Sequence, residues 1–267
     1  MNVIITGSRK GIGLAMAEEF LKGNDRVIIS SRSGELINKL VDELSDVYGK
    51  DKIFGFQCDV TNAKECEALA EFGKEKFSKL DVWINNAGTN AYELNNLVDF
   101  SIEGIKTIVD TNLLGTLYGC RAALKVMIPQ KHGHIFNMEG MGSNGMTSPK
   151  IAPYGASKAG IPQLTKTLVK ELKADKIKVG IHRLSPGIVL TDLTLKEITP
   201  ESAKVFNILA ETTDTVVKYL VPRIRKIKGT GKVIAILTGR KASGRFMTAW
   251  RFKNRFFDKE GNLIKDI

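Results

Sequence analysis

Two side chains four residues apart have the chemistry to move a proton. In Tyr154-Gly-Ala-Ser-Lys158 a phenol and an ammonium stand at i and i+4, on one face if the segment is helical. A neighbouring cation favours phenolate, so the expectation is a tyrosine with a lowered pKa, fit for acid–base work near neutral pH. The spacing alone proves little, because Tyr48 and Lys52 share it. What sets Tyr154 apart is its place after the fifth expected strand, at the edge of the sheet where open α/β folds bind ligands.

A second group of residues could hold a phosphate. Thr6-Gly-Ser-Arg-Lys-Gly-Ile-Gly13 follows the first apolar run and opens a helix-compatible one. Gly7, Gly11 and Gly13 permit a tight turn, and with Ser8, Arg9 and Ile12 they would bring backbone N–H groups and a helix N-terminus to a pyrophosphate. The second run ends Ile28-Ile-Ser-Ser-Arg32, without the acid that usually holds ribose hydroxyls in NAD-preferring folds. Two readings of Arg32, Arg9 and Lys10 stand open: bidentate pairing with the 2′-phosphate of NADP(H), or solvated surface cations.

Strand-like runs alternate with longer helical patterns. The expected order is Val3–Thr6, a helix near Gly11–Lys22, Arg26–Ser30, a helix near Gly34–Tyr48, Lys52–Gln57, a helix near Ala63–Phe77 and Asp81–Asn85. A helix near Thr107–Ile128 follows, then Gly133–Asn137, a helix near Tyr154–Ala174, Lys178–Leu184 and Lys232–Leu237. This rhythm predicts an α/β fold: a Rossmann-type, doubly wound, mainly parallel sheet flanked by helices, with residues 1–267 as a single domain. Asp192–Thr215 breaks the rhythm and reads either as a substrate-covering flap or as an ordinary helix-turn-helix insertion.

Composition narrows the function classes. Cys58, Cys66 and Cys120 form no zinc or redox spacing, and His132, His134 and His182 add no ligand cluster, so no metal is expected. No run reaches the roughly 18 apolar residues of a membrane span, and the opening strand leaves no room for a cleavable leader. The expectation is a reducing, cytoplasmic setting. The net charge of +11 is concentrated from Val221 onward, where thirteen basic residues face three acids. This basic C-terminal extension, 221–267, also carries Phe246, Met247, Trp250, Phe252, Phe256, Phe257 and Ile264. Two readings remain: peripheral contact with an anionic membrane, or aromatics packed under the sheet beneath a solvated face. No motif supports specific nucleic-acid recognition.

These residues resemble the short-chain dehydrogenase/reductase family along essentially the whole chain. Thr6–Gly13 is similar to its TGxxxGxG loop, Asp59 with Val60 to its adenine-side acid, and Asn85-Asn86-Ala87-Gly88 to its NNAG motif. Asn112 resembles its fourth catalytic residue, Tyr154 and Lys158 its YxxxK, and Ser185-Pro186-Gly187-Ile188 through Thr191 its nicotinamide-side loop. The resemblance implies an NADP(H)-dependent oxidoreductase on a small-molecule carbonyl or alcohol, assembled as a homo-oligomer. Tyr154 would be the acid/base, Lys158 would hold the ribose and tune the tyrosine, and Asn112 would anchor a proton-relay water. The usual strand-end serine is missing: Asn137-Met-Glu-Gly-Met-Gly-Ser143 puts Gly140 there. Ser143 is the candidate replacement, with a plain loop residue the other reading. Glu139 has two readings, a group acting in the site or, as strand-end carboxylates more often are, a surface carboxylate. That variant, with Ser185–Leu193, Leu220–Arg225, Lys228–Gly231 and Phe256–Gly261, resembles the chlorophyll b reductase branch, whose reaction turns a formyl group into hydroxymethyl. The disturbed serine keeps a second reading open, a catalytically weak nucleotide-binding regulatory or scaffold protein on the same fold.

Overall fold

The computed structural model describes residues 1–195 and 198–264; Lys265 and Asp266, counted in the basic terminus, lie outside them. Seven parallel strands form one sheet in the order β3-β2-β1-β4-β5-β6-β7. The strands are β1 (Asn2–Ile5), β2 (Arg26–Ser31), β3 (Ile53–Gln57), β4 (Val82–Asn85), β5 (His134–Met138), β6 (Gly180–Ser185) and β7 (Val233–Ala235). The chain runs outward from β1 to β3, then crosses back to β4 beside β1. The order therefore reverses between β1 and β4, which opens a crevice at their carboxyl ends.

Alternation along each strand feeds two apolar layers. Val3 and Ile5 of β1 point to the layer with Phe20, Phe136 and Leu184, whereas Ile4 points to the opposite one with Trp83, Ile135 and Ile181. Helices α1 (Gly11–Lys22), α2 (Gly34–Tyr48) and α9 (Thr213–Arg225) cover the first face. The second is covered by α3 (Ala63–Phe77), α5 (Gly115–Met127) and α6 (Ala152–Ala174).

The helix expected from Thr107 starts earlier. Ser101 caps α4 (Ile102–Val109) by accepting from Gly104 N at 2.9 Å, and the helix runs into α5 through a π turn at Asp110–Leu114. Pattern reading began the helix five residues late, although Ile102, Ile105 and Ile108 recur at helical spacing behind the Ser101 cap. Asp192–Thr215 takes the helical reading: α7 (Asp192–Leu195), α8 (Pro200–Leu209) and the start of α9, with α8 capped by a Thr199/Ser202 box.

The C-terminal segment mostly belongs to the fold. After β7 come α10 (Gly239–Met247) and a 3-10 turn, Ala249–Phe252. Phe256 and Phe257 are buried in a third cluster with Leu190, Ala203 and Ala210, so these two aromatics are not free for a membrane. Glu211, itself buried, is held by two arginines: Arg245 on Oε1 and Arg255 on Oε2, the latter at 2.6 Å. Arg225 Nε reaches Asp25 at 2.8 Å. Met247 (78% exposed), Trp250 (72%) and Phe246 remain outside, among the exposed cations Arg240, Arg251 and Lys253.

Candidate active site

The glycine loop and the β4 loop interlock at the reversal point. Asn86 Nδ2 donates to Thr6 O at 3.0 Å and Gly7 O at 2.9 Å, while the Asn86 and Ala87 amides donate to Thr6 Oγ1. Gly7 has φ +61°, and a Cβ there would stand 2.6 Å from Ala87 Cα, so two constraints exclude other residues. Ser8 is buried, and its hydroxyl joins β1 to β2 by donating to Ile5 O and accepting from Ser30 N. Its side chain is therefore structural, and only its backbone can face a ligand.

The start of α1 fits an anion. Its N-cap residue, Lys10, supplies no side-chain cap and its first turn holds no acid, whereas α2, α3, α4, α8, α9 and α10 are each capped by a Ser, Thr or Asn side chain. Orphan N–H groups thus point out of the glycine loop, which suits a pyrophosphate. Arg9 and Arg32 are exposed, and neither has an ion pair or hydrogen bond among the described residues. Lys10 differs: its Nζ bonds Asp192 at 2.6 Å and Tyr92 Oη at 3.4 Å, which ties the glycine loop to α7. Asp59 is half-buried and accepts on Oδ1 from Thr61 N and Oγ1; Val60 packs beside it against Gly115. Pro186, Gly187 (φ +72°), Ile188 and Thr191 follow β6 at the same end of the sheet, and a Cβ on Gly11 would meet Thr191 at 3.7 Å.

Tyr154, Lys158, Asn112 and Gly88 come together. A Cβ on Gly88 would lie 3.3 Å from Asn112 Oδ1 and 3.5 Å from Lys158 Nζ, so the glycine lets both approach. Asn112, fully buried in the π turn, donates to Thr89 O at 2.9 Å and Ser157 Oγ at 3.0 Å and accepts from Thr89 N at 2.8 Å. It thereby fixes the β4 loop to α6. A buried chain from Asn85 to Asn137 (2.8 Å) and Asn137 to Thr165 (3.1 Å) repeats that link deeper in the sheet.

The expected lowering of the tyrosine pKa is absent. Burial pushes the Tyr154 hydroxyl up to about 12, and Lys158 Nζ lies 6.0 Å from the ring centroid, bonded instead to Met138 O at 3.2 Å. Burial in turn lowers Lys158 to about 8, opposed by Glu139. Ser143 Oγ accepts from Gly140 N at 3.1 Å and donates to Lys158 O at 3.0 Å, so it fastens the loop to α6 in this conformation. A Cβ on Gly140 would stand 2.4 Å from Tyr154 Oη, so the tyrosine occupies the space a serine at 140 would need. Of the two readings of Glu139, the surface one fails: it is 8% exposed and accepts from Arg183 Nη1 at 2.6 Å. Neither Thr89 nor Ser157 stood out in the sequence, because their partners lie on other elements.

A Rossmann sheet with a tyrosine–lysine pair at the end of its fifth strand defines a dinucleotide-dependent oxidoreductase. A family profile described as short chain dehydrogenase matches residues 1–202, and the chain belongs to that family. Within it the chain stands with the chlorophyll b reductase branch. It is 44% identical over 261 residues to chlorophyll(ide) b reductase NOL of Oryza sativa subsp. japonica, covering 95% of this chain and 76% of that one. It is 42% identical to the probable chlorophyll(ide) b reductase NYC1 of the same organism, covering 98% of this chain but 55% of the relative. Both relatives are described as chloroplastic. Among solved structures, ElxO with NADP bound shares 31% identity at a TM-score of 0.77, covering 88% of this chain and 96% of its own.

Proposed function

We propose that the chain is an NADP(H)-dependent reductase of a bulky apolar carbonyl compound, of the kind that carries a formyl group on a chlorophyll-like pigment. The observation that carries this reading is the buried Tyr154–Lys158 pair beside an uncapped, glycine-opened helix. When bound, the nicotinamide supplies the hydride. Gly7, Ser8, Arg9, Gly11, Ile12 and Gly13 would hold the pyrophosphate side, Asp59 and Val60 the adenine side, and Asn86, Ala87 and Gly88 the middle of the dinucleotide. Pro186, Gly187, Ile188 and Thr191 would line the nicotinamide end.

A hydroxyl pushed up to about 12 remains a phenol at neutral pH, the form that donates a proton to a carbonyl oxygen. Tyr154 is therefore the acid in the reductive direction, and Lys158 holds positive charge below it. Asn112 fixes the β4 loop to α6, and Ser143 keeps the loop after β5 on the same helix. Arg9 and Arg32, exposed and with no ion pair or hydrogen bond among the described residues, favour the 2′-phosphate. We read residues 1–267 as one unit working as a homo-oligomer, with the exposed Leu97, Val98 and Ile102 as candidate contact residues. We place it in a reducing compartment, in keeping with three buried free cysteines. The described residues include no helix long and apolar enough to cross a membrane. The exposed Phe246, Met247 and Trp250, amid basic residues, support peripheral contact with an anionic membrane surface.

The test is coenzyme oxidation against formyl-bearing pigments, retinoid-like aldehydes, steroid ketones and small sugars. The expected result is NADPH consumption with a formyl pigment, a preference over NADH, and its erasure by Arg32→Asp. Turnover of none of these, or equal efficiency with both coenzymes, overturns the corresponding part of the reading.

A further inference from the structure

The backbone of β5 keeps its register one residue past the strand: Glu139 N donates to Leu184 O at 2.8 Å. Alternation then sends Glu139 to the face of Ile135 and Asn137, the face covered by α6. Arg183 follows Ile181 on β6 to that same face, and its Nη1 meets Glu139 Oε1 at 2.6 Å. A carboxylate removed from water is retained only with compensation, and Arg183 provides part of it. Oε2 has no protein donor among the described residues.

The third charge is Lys158, 4% exposed. Among the described residues its Nζ donates to a single protein acceptor, the carbonyl of Met138, the residue just before Glu139. One backbone carbonyl is poor compensation for a buried ammonium, which would shed its proton without a nearby anion. The titratable and charged groups around Nζ are Tyr154 on α6, Glu139 at the end of β5, and Arg183 behind it on β6. The β4 loop and the π turn contribute Gly88 and Asn112, which do not titrate.

We propose that Glu139 is the counter-charge of Lys158, a positioning residue that keeps the ammonium protonated at the end of β5, with Arg183 clamping the carboxylate in place. This rests on the reading of Lys158 as the partner of Tyr154, and it extends the site by two residues, one from each of two neighbouring strands. Burial pulls Lys158 down while Glu139 pulls it up, which matches the direction of the assignment. The Tyr48–Lys52 decoy has no such arrangement: Gly49 ends α2 between the two, and Lys52 pairs with the exposed Asp51.

The first test needs no substrate. Competitive acetylation of the cofactor-free protein across pH, read at Lys158 by mass spectrometry against an exposed lysine, gives the titration midpoint of that ammonium. In Glu139→Gln the midpoint falls by about one pH unit, a tenfold change in the ratio of protonated to free amine; in Glu139→Asp, which keeps the charge, it stays near the native value. Arg183→Gln leaves the carboxylate to Lys158 alone and moves the midpoint upward, which keeps a measurement available if Glu139→Gln does not fold. An unmoved midpoint in the folded Gln variants overturns the proposal. On any carbonyl substrate that is turned over, the alkaline limb of kcat/KM shifts in step with the labelling midpoint. If no carbonyl is turned over but the midpoint moves, the reductase reading fails while the counter-charge assignment stands.

Discussion

Around β1 and β4 the joints are neutral: Thr6, Ser8 and Asn86 bond backbone groups, and glycines admit the close approaches. Around Glu211 the joints are ionic. Two arginines, 34 and 44 residues away in sequence, converge on one buried carboxylate, and Arg245 also donates to Ile208 and Leu209 carbonyls. The neutral side must leave room for a ligand's phosphates, so its own polar groups are tied off and its cations left outside. The ionic side has no such duty, and it spends charge on holding the segment after the nicotinamide-side loop against the C-terminus.

The largest effect is expected from removing one atom beside the neutral region, at the α6 tyrosine. Tyr154→Phe takes away the transferable proton and keeps the ring, so turnover should fall by roughly 10²–10⁴-fold while NADPH affinity, measured by fluorescence titration, stays within about twofold. Substantial remaining turnover would refute the acid assignment.

The matching change on the ionic side is Glu211→Gln, which strands two arginines. The expected loss is about 2 kcal/mol, seen as a fall in Tm of roughly 4–8 °C. Effects on NADPH binding should be small. A cost in cofactor affinity as large as the cost in stability would erase the distinction between the regions.

A smaller effect comes from the amino end of the sheet, away from both. His134 Nδ1 and His182 Nε2 lie 3.0 Å apart, and burial pushes His182 down to about 3. Unfolded histidine titrates near 6.5, so between pH 6.5 and 3 the unfolded chain binds more protons and stability falls with acidification. The drop should be on the order of 1 kcal/mol per pH unit at most, with Tm against pH flatter in His182→Asn than in the native protein. Equal slopes would move acid sensitivity to other groups. The smallest effect is expected at the outer surface of α10. Trp250→Ala with Phe246→Ala should reduce salt-sensitive flotation with anionic vesicles and leave turnover of a soluble substrate unchanged; a native protein that ignores anionic vesicles removes the membrane contact altogether.

The same contrast explains what could be read in advance. The glycine loop was legible because close backbone approach leaves a local mark, and NNAG and Tyr154–Lys158 were legible through the family resemblance. The parallel, doubly wound sheet followed from the strand–helix rhythm, whereas its strand order was not read. The Glu139–Arg183 pair and the Glu211 cluster left no local mark, since each joins residues from separate elements and any surface arginine looks alike in sequence. The basic terminus was misleading for that reason: Arg225, Arg245 and Arg255 are tied down, and Phe256 and Phe257 are core.

The ring of Tyr154 over Gly140 also constrains how this sequence can change. A Cβ at 140 would press on Oη, the far end of the tyrosine side chain, so a serine there obliges the phenol to shift. The two positions are thus coupled: what a hydroxyl at 140 does for activity depends on where the phenol can move, and a library that varies both together samples arrangements that neither position reaches alone.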